Sequence, residues 1–518
     1  MLTANPAHLP ANADVVIVGS GAVGLTMAAQ LVAAGRTVVV IESGRQVIDP
    51  HYRAQNGGIS SGRSFKGLEE GRYRGLGGTT RIWGGQLMRL SDGLIGPVPE
   101  LNKPGWLIDA DELAKWEDRV LGLLGVEQAF AEASRQWASK AMISPQLGLD
   151  LELALSFWLP RPDFAQHFAG VLAAPNGPMV LLEHQALGLI CNRESGRVRG
   201  VRASGPAGEI EVTARAVVLA CGTLENVALL LRHQAAMPQS PLAANRNVGR
   251  WFIDHLHGNV GTIRTLDPGM MGRFFDTRYG LAGLKVSTKL RPSNALSAKD
   301  PLAECAMTVT GALSPGEALH ELGGLARRFT APKGAAQAGD LGGKLRLLGP
   351  LIWTYLRHQR SGTFLSGQAN FGVEVEQLPC AGSHIALERG VPPDQARIDL
   401  HWELDGREIE AVAALCQRFE WWCLATGYAT VDYDRRIDRH DPAAFDLFHD
   451  SSHHMGGARM AASANDGVVD ANLGVFGVPG LSVAGAAVFP SGGFANPTLS
   501  AMALGLRLAD RLAAETAR

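Results

Sequence analysis

The sequence predicts an α/β fold, α+β overall, in which a Rossmann-like dinucleotide-binding domain is assembled from separated segments and interrupted by a second domain on a mixed or antiparallel sheet. Three observations predict it: a glycine turn between two buried strands near the N-terminus, a strand turning into a helix at residues 216–226, and a strand, loop and helix at 481–515. At 518 residues the chain is too long for one core.

Asp14-Val15-Val16-Ile17-Val18 is a continuous apolar run, which reads as a buried parallel strand. Gly19-Ser20-Gly21-Ala22-Val23-Gly24 follows at once. Leu25, Ala28, Ala29 and Val32 then recur at helical spacing, Gly35 stops that helix, and Thr37–Ile41 is a second buried strand ending at Glu42. In such a βαβ unit Gly19 allows the tight turn, Gly21 lets backbone approach a pyrophosphate, Gly24 permits close packing, and Glu42 accepts from a ribose hydroxyl. The amides at the helix start complement phosphate charge. A structural turn alone would leave Glu42 unexplained.

Arg74 to Gly85 comes next, with Gly75, Gly77, Gly78, Gly84 and Gly85 set among Thr79, Thr80 and Trp83. Backbone of this kind suits a loop pressed against a planar ligand. Residues 102–160 read as helical, with Leu113, Trp116, Val120 and Leu124 on one face. Gly200–Ala220 returns to β character, and a helix starts near Leu224. From 261 to 440 the pattern is strand-rich and irregular; Ala396–Leu404 alternates with period two and predicts a strand with one wet face. Leu481–Gly485 is a last strand, followed by a loop through Ala486. Pro497 fits a first helical position, and Leu499, Met502, Leu506 and Ala509 mark a helix over 497–515. Its positive end would stabilise an anionic reduced cofactor.

Composition narrows the class. A formal net charge of −2 advertises no nucleic-acid partner. Six cysteines without C-x-x-C spacing suit reduced thiols in a cytoplasmic protein. No apolar run approaches the ~18 residues of a membrane span, and the N-terminus carries no export pattern.

Taken with Val248–His255, His453-His454-Met455-Gly456-Gly457 and Phe494-Ala495-Asn496-Pro497, these motifs resemble the glucose-methanol-choline oxidoreductases. The resemblance implies FAD bound at Gly19, Gly21, Gly24, Glu42, Gly77, Gly78, Thr79, Thr80, Trp83, Gly84, Gly85, Gly485, Ala486, Asn496, Pro497 and Thr498. It implies His453 as the base of an alcohol oxidation and Asn496 as the second polar residue, with no metal. His454 is expected to face away and contact cofactor or protein. Where some members attach flavin through histidine, this chain has Ile82, so FAD is expected to be non-covalent. Many members place an acid near the ribitol where Gly485 stands here.

The expected division is 1–90, 180–260 and 440–518 for FAD and 91–179 and 261–439 for substrate. Within the latter, the basic amphipathic segment 315–360 reads as a lid or subunit contact ahead of a membrane or electron-acceptor contact. The expected substrate is a sugar or glycoside secondary alcohol, nearest the pyranose-oxidising type, with O₂ or another electron acceptor. Alternatives are a non-sugar alcohol dehydrogenase feeding a quinone or protein acceptor, a flavin monooxygenase, and a protein using FAD structurally. A zinc site at His449 and His453 lacks the H-E-x-x-H glutamate. Gly58-Ile59-Ser60-Ser61-Gly62 lacks the flanking strand and helix of a hydrolase elbow.

Overall fold

The computed structural model describes residues 1–141, 150–192, 194–280, 283–311 and 367–517, with residues 353, 357, 358, 362, 363 and 365. Apart from residues 353, 357 and 358, the basic segment 315–360 lies outside the described residues.

Ala13–Val18 is a buried strand, and the helix Ala22–Ala33 leads from it to the strand Val38–Ile41, which pairs with it in parallel. On the other side of Ala13–Val18 lies the long strand Gly208–Leu219. Its burial changes along its length for a reason visible in its residues. The Glu209-to-Thr213 stretch alternates polar and apolar and pairs with Val198–Gly205 in a hairpin, whereas the strand enters the parallel sheet from Ala214 and is apolar throughout over Ala216–Leu219. Leu481–Val483 closes the sheet on the far side of that strand. The C-terminal helix Thr498–Glu515 packs on helix Ala22–Ala33, and the two approach closely at Gly505, where a Cβ would lie 2.7 Å from Val23 Cγ1.

A second sheet is antiparallel throughout. In order it joins Ala429–Tyr433, His255–Thr265, Gln368–Glu376, Cys305–Gly311, Lys285–Pro292, Leu151–Trp158 and Gln86–Leu87, with Phe448–Asp450 pairing onto the start of His255–Thr265. A third joins His384–Leu387, Ile398–Trp402 and Gly58–Gly62. Ile398–Trp402 is the expected half-wet strand. Ser60 lies inside a strand and not at a strand-to-helix turn.

Two sequence expectations are corrected. Residues 102–160 are not helical throughout: helices Ala110–Leu123 and Glu127–Ala141 precede a strand, Leu151–Trp158, that is held by pairing with Lys285–Pro292. The strand-rich reading of 261–440 misses the helix Glu408–Thr426, whose Ile409, Val412, Leu415, Cys416, Phe419, Trp422 and Cys423 are buried at helical spacing; Phe419 packs on Phe371 of the second sheet. No helix among the described residues is long and apolar enough to cross a membrane.

Candidate active site

One cleft runs from Glu42 at the end of strand Val38–Ile41, past the glycine turn, to His453, His454 and the start of helix Thr498–Glu515. The three glycines of the turn differ in their surroundings. Gly19 has φ +103, and a Cβ there would lie 2.6 Å from the Ala220 carbonyl oxygen; a Cβ on Gly24 would lie 2.0 Å from the Gly19 carbonyl oxygen. A Cβ on Gly21 would meet nothing within 4 Å, so the space before the turn is open.

Three helices begin at this cleft, with Gly21, Gly222 and Pro497 at their N-cap positions, and none has a side-chain cap. Uncapped amide ends converging on open space suit a phosphate-rich anion. Glu42 is buried, and its carboxylate accepts from Ser20 N (3.1 Å), Ser20 Oγ (2.7 Å) and Gly44 N (2.9 Å), which ties it to the turn. The residues present therefore fit a dinucleotide.

The sequence-predicted residues do not all reach the cleft. Gly78, Thr79, Thr80, Trp83, Gly485, Ala486, Pro497 and Thr498 line it, along with Gly19, Gly21 and Glu42. Gly77, Gly84 and Gly85 sit behind, where a Cβ would meet Ala165, Trp158 and Pro162 respectively. The Trp83 indole lines the cleft while its Nε1 donates to the Pro162 carbonyl at 2.8 Å. Gly485 has φ +111, and an added Cβ would meet Asn226 Nδ2 at 4.0 Å, an ordinary van der Waals contact.

At the far end His453 stands between two side chains. Its Nε2 lies 2.9 Å from Asn496 Nδ2, and its Nδ1 lies 2.9 Å from Nδ1 of His255. Asp254 builds this arrangement. One carboxylate oxygen accepts from the backbone N of His255 (2.7 Å), His453 (2.9 Å) and Ser451 (3.3 Å), joining two chain segments about 200 residues apart. His454 packs against Phe65 and Phe252 and also lines the cleft; its Nε2 stands 3.8 Å from the other Asp254 oxygen. Burial holds His453 down at about 3, with Lys289 and His257 adding, and holds His454 at about 3, with Arg72 and His453 adding. Both rings are therefore neutral, the state in which an imidazole accepts a proton. His449 lies in strand Phe448–Asp450 beside His257, with ring centroids 5.5 Å apart.

Sequence reasoning missed Arg72, Arg74 and Glu225, which also line the cleft. Glu225 pairs with Arg72 at 3.1 Å and with Arg74 at 2.7 Å. Burial alone would raise the Glu225 carboxyl, but the two guanidinium groups hold it below its ordinary value. A pair spanning 150 residues leaves no local signal. His255 ends the Val248–His255 motif, and the signal for it is the pair of titratable residues closing the apolar run Trp251-Phe252-Ile253.

Comparison with known proteins agrees with this geometry. Residues 14–252 match the FAD dependent oxidoreductase family model, and residues 379–505, the span in which His453 and Asn496 lie, match the GMC oxidoreductase model. The chain carries a GMC oxidoreductase C-terminal domain after an FAD dependent oxidoreductase domain. Formate oxidase of Aspergillus oryzae RIB40 is 17% identical with TM-score 0.58, over 98% of this chain and 99% of that one. Pyridoxine 4-oxidase of Mesorbium loti is 17% identical with TM-score 0.57, over 96% and 99%. A fungal aryl-alcohol oxidase is 16% identical with TM-score 0.57, over 98% and 100%. At these identities the likeness shows the shared fold. No match was found among curated proteins. With these two domains the chain is an FAD-dependent oxidoreductase acting on CH–OH groups, with a small-molecule substrate and an electron acceptor. That sets aside the monooxygenase and structural-FAD readings.

Proposed function

We propose that this enzyme oxidises a secondary hydroxyl of a sugar or glycoside to a carbonyl, with His453 as base and Asn496 as the residue that orients the reacting oxygen. The observation that carries the proposal is the 2.9 Å contact between Asn496 Nδ2 and His453 Nε2 beside the start of helix Thr498–Glu515. The neutral Nε2 takes the hydroxyl proton as the O–H bond breaks. The Asn496 amide donates to the same oxygen and so fixes where its carbon lies. Bound FAD supplies the acceptor for the hydride leaving that carbon. Arg72, Arg74 and Glu225 hold the wall of the cleft, and Glu42 with the three helix starts would hold the dinucleotide.

The sugar assignment rests on asparagine, in place of a second histidine, together with the Trp83-Gly84-Gly85 loop, both as in the sugar-oxidising members the sequence resembles. A non-sugar alcohol is the second reading, favoured by the likeness to proteins named for pyridoxine and aryl-alcohol oxidation. The FAD is proposed to be dissociable, because Ile82 is 51% exposed and offers no attachment atom. The division of the chain at 1–90, 180–260 and 440–518 against 91–179 and 261–439 belongs to the same proposal; the parallel strands Ala13–Val18, Val38–Ile41 and Leu481–Val483 and the parallel end of Gly208–Leu219 support the first set, while Gln86–Leu87 and Phe448–Asp450 of that set pair into the antiparallel sheet.

Anaerobic bleaching of the flavin by D-glucose, methyl glucosides, pyridoxine, 4-methoxybenzyl alcohol and formate tests the substrate. Fast bleaching by a sugar is expected; bleaching by the aromatic alcohols alone would overturn the sugar assignment. Acid precipitation should leave a colourless pellet.

A further inference from the structure

His255 and His453 are the two rings that meet nitrogen to nitrogen, and hydrogen-bond chemistry decides which carries the hydrogen between them. An amide nitrogen only donates, so Asn496 Nδ2 makes His453 Nε2 the bare nitrogen. In a neutral imidazole the hydrogen then sits on Nδ1 and points at His255 Nδ1, 2.9 Å away, which must be bare in turn. That places the His255 hydrogen on its Nε2.

The far side of His255 is closed to water: its ring is fully buried, and its Nε2 has no hydrogen-bond partner among the described residues. The spacing of the rings is held from the backbone, because one Asp254 oxygen accepts from both residues' N–H groups. The rings stand edge to face, with centroids 4.9 Å apart.

We propose that His255 is a positioning residue for the alcohol oxidation: by accepting the Nδ1 hydrogen of His453 it holds that ring in the tautomer whose Nε2 is free for the substrate's proton. The proposal rests on the reading of His453 as the base. When Nε2 takes the proton, the Nδ1–H bond to a neutral acceptor remains and steadies the imidazolium. His255 has no exposed surface, so it holds the hydrogen in place and does not relay it.

The test is long-range ¹H–¹⁵N spectroscopy of the FAD-loaded enzyme labelled at histidine nitrogens, with His453 signals identified by their loss in His453→Ala. Wild type should show His453 with Nδ1 protonated and Nε2 bare. His255→Leu, which keeps bulk and removes the acceptor, should bring in the Nε2–H form. It should also slow flavin reduction by the fastest alcohol of the panel roughly 10- to 100-fold, the size of losing an orienting partner, at unchanged flavin content. His255→Asn, whose Oδ1 stands where Nδ1 was, should restore the tautomer and most of the rate. A wild-type His453 in the Nε2–H form overturns the proposal, and that spectrum needs no variant to fold. So does an unaltered tautomer in His255→Leu, or equal losses in the Leu and Asn variants. If instead His453→Ala reduces flavin at the wild-type rate, the base assignment fails while the tautomer result stands.

Discussion

His453 has different company at each ring nitrogen, and its replacement should separate binding from chemistry. His453→Ala should keep bound FAD and slow flavin reduction by about 10² to 10⁴, the range for a positioned base. Asn496→Ala should slow it less, because the amide orients without accepting the proton. His454→Ala should cost less than either, since His454 contacts Phe65, Phe252 and Asp254 and not Asn496. Stopped-flow reduction of the three variants decides; a larger loss for His454→Ala would mean the wrong histidine was chosen. At the other end of the cleft, Glu42→Ala should weaken FAD by about 1.5 to 3 kcal/mol, the worth of a hydrogen bond to a charged group. Unchanged affinity by equilibrium titration would leave Glu42 a structural tie to Ser20 and Gly44.

At the scale of elements, two close approaches set how strands and helices meet. Gly24→Ala would drive a Cβ to 2.0 Å from backbone, which has no rotamer to escape into, so helix Ala22–Ala33 must move off its strand. Loss of flavin content together with a lowered melting temperature is expected. Gly505→Ala meets the milder obstacle of Val23 and should cost about 1 to 3 kcal/mol, as overpacked contacts do; urea unfolding measures it. Gly21→Val is the contrast. Its side chain would enter open space, so the fold should survive and FAD binding should not.

Across the whole molecule, the second sheet carries buried titratable groups around the catalytic end. Lys103 pairs with Glu376 at 2.8 Å, and the other Glu376 oxygen accepts from Gly493 N at 3.1 Å, so one carboxylate joins the segment at 103, the sheet and the catalytic loop. Lys103→Met leaves that charge buried alone and should cost about 3 to 5 kcal/mol in urea unfolding. The histidines predict the response to acid. Burial holds His453 and His454 at about 3 and His257 at about 4, below the value of about 6.5 in an unfolded chain. Between these limits the unfolded state takes up protons that the folded state refuses. These rings therefore contribute a loss of stability as pH drops from about 6.5 toward 4, by up to about 1.4 kcal/mol per pH unit for each ring, against the opposite contribution of buried carboxyls such as Asp276, which burial raises to about 6. Urea midpoints at pH 7.5, 6.0 and 5.0 measure this, and His257→Asn should flatten the slope; a slope unchanged in that variant would contradict the burial.

The sequence by itself determined the parts whose signals are local. Gly19, Gly21, Gly24 and Glu42 declare a dinucleotide turn because backbone sterics and phosphate charge act over a few residues, and the runs at 14–18, 37–41 and 481–483 declare buried strands because both faces are covered. His453 and Asn496 were legible as members of short motifs. Only the tertiary structure decided what depends on distant chain meeting: Glu225 between Arg72 and Arg74, the rear position of Gly77, Gly84 and Gly85, the strand at 151–158, and His255 behind His453. Leu151–Trp158 is a strand because Lys285–Pro292 supplies its hydrogen bonds, and His255 meets His453 because one Asp254 oxygen takes both backbone N–H groups. Neither partner lies within the reach of a sequence window, and burial, which makes those contacts strong, exists only once the segments have come together.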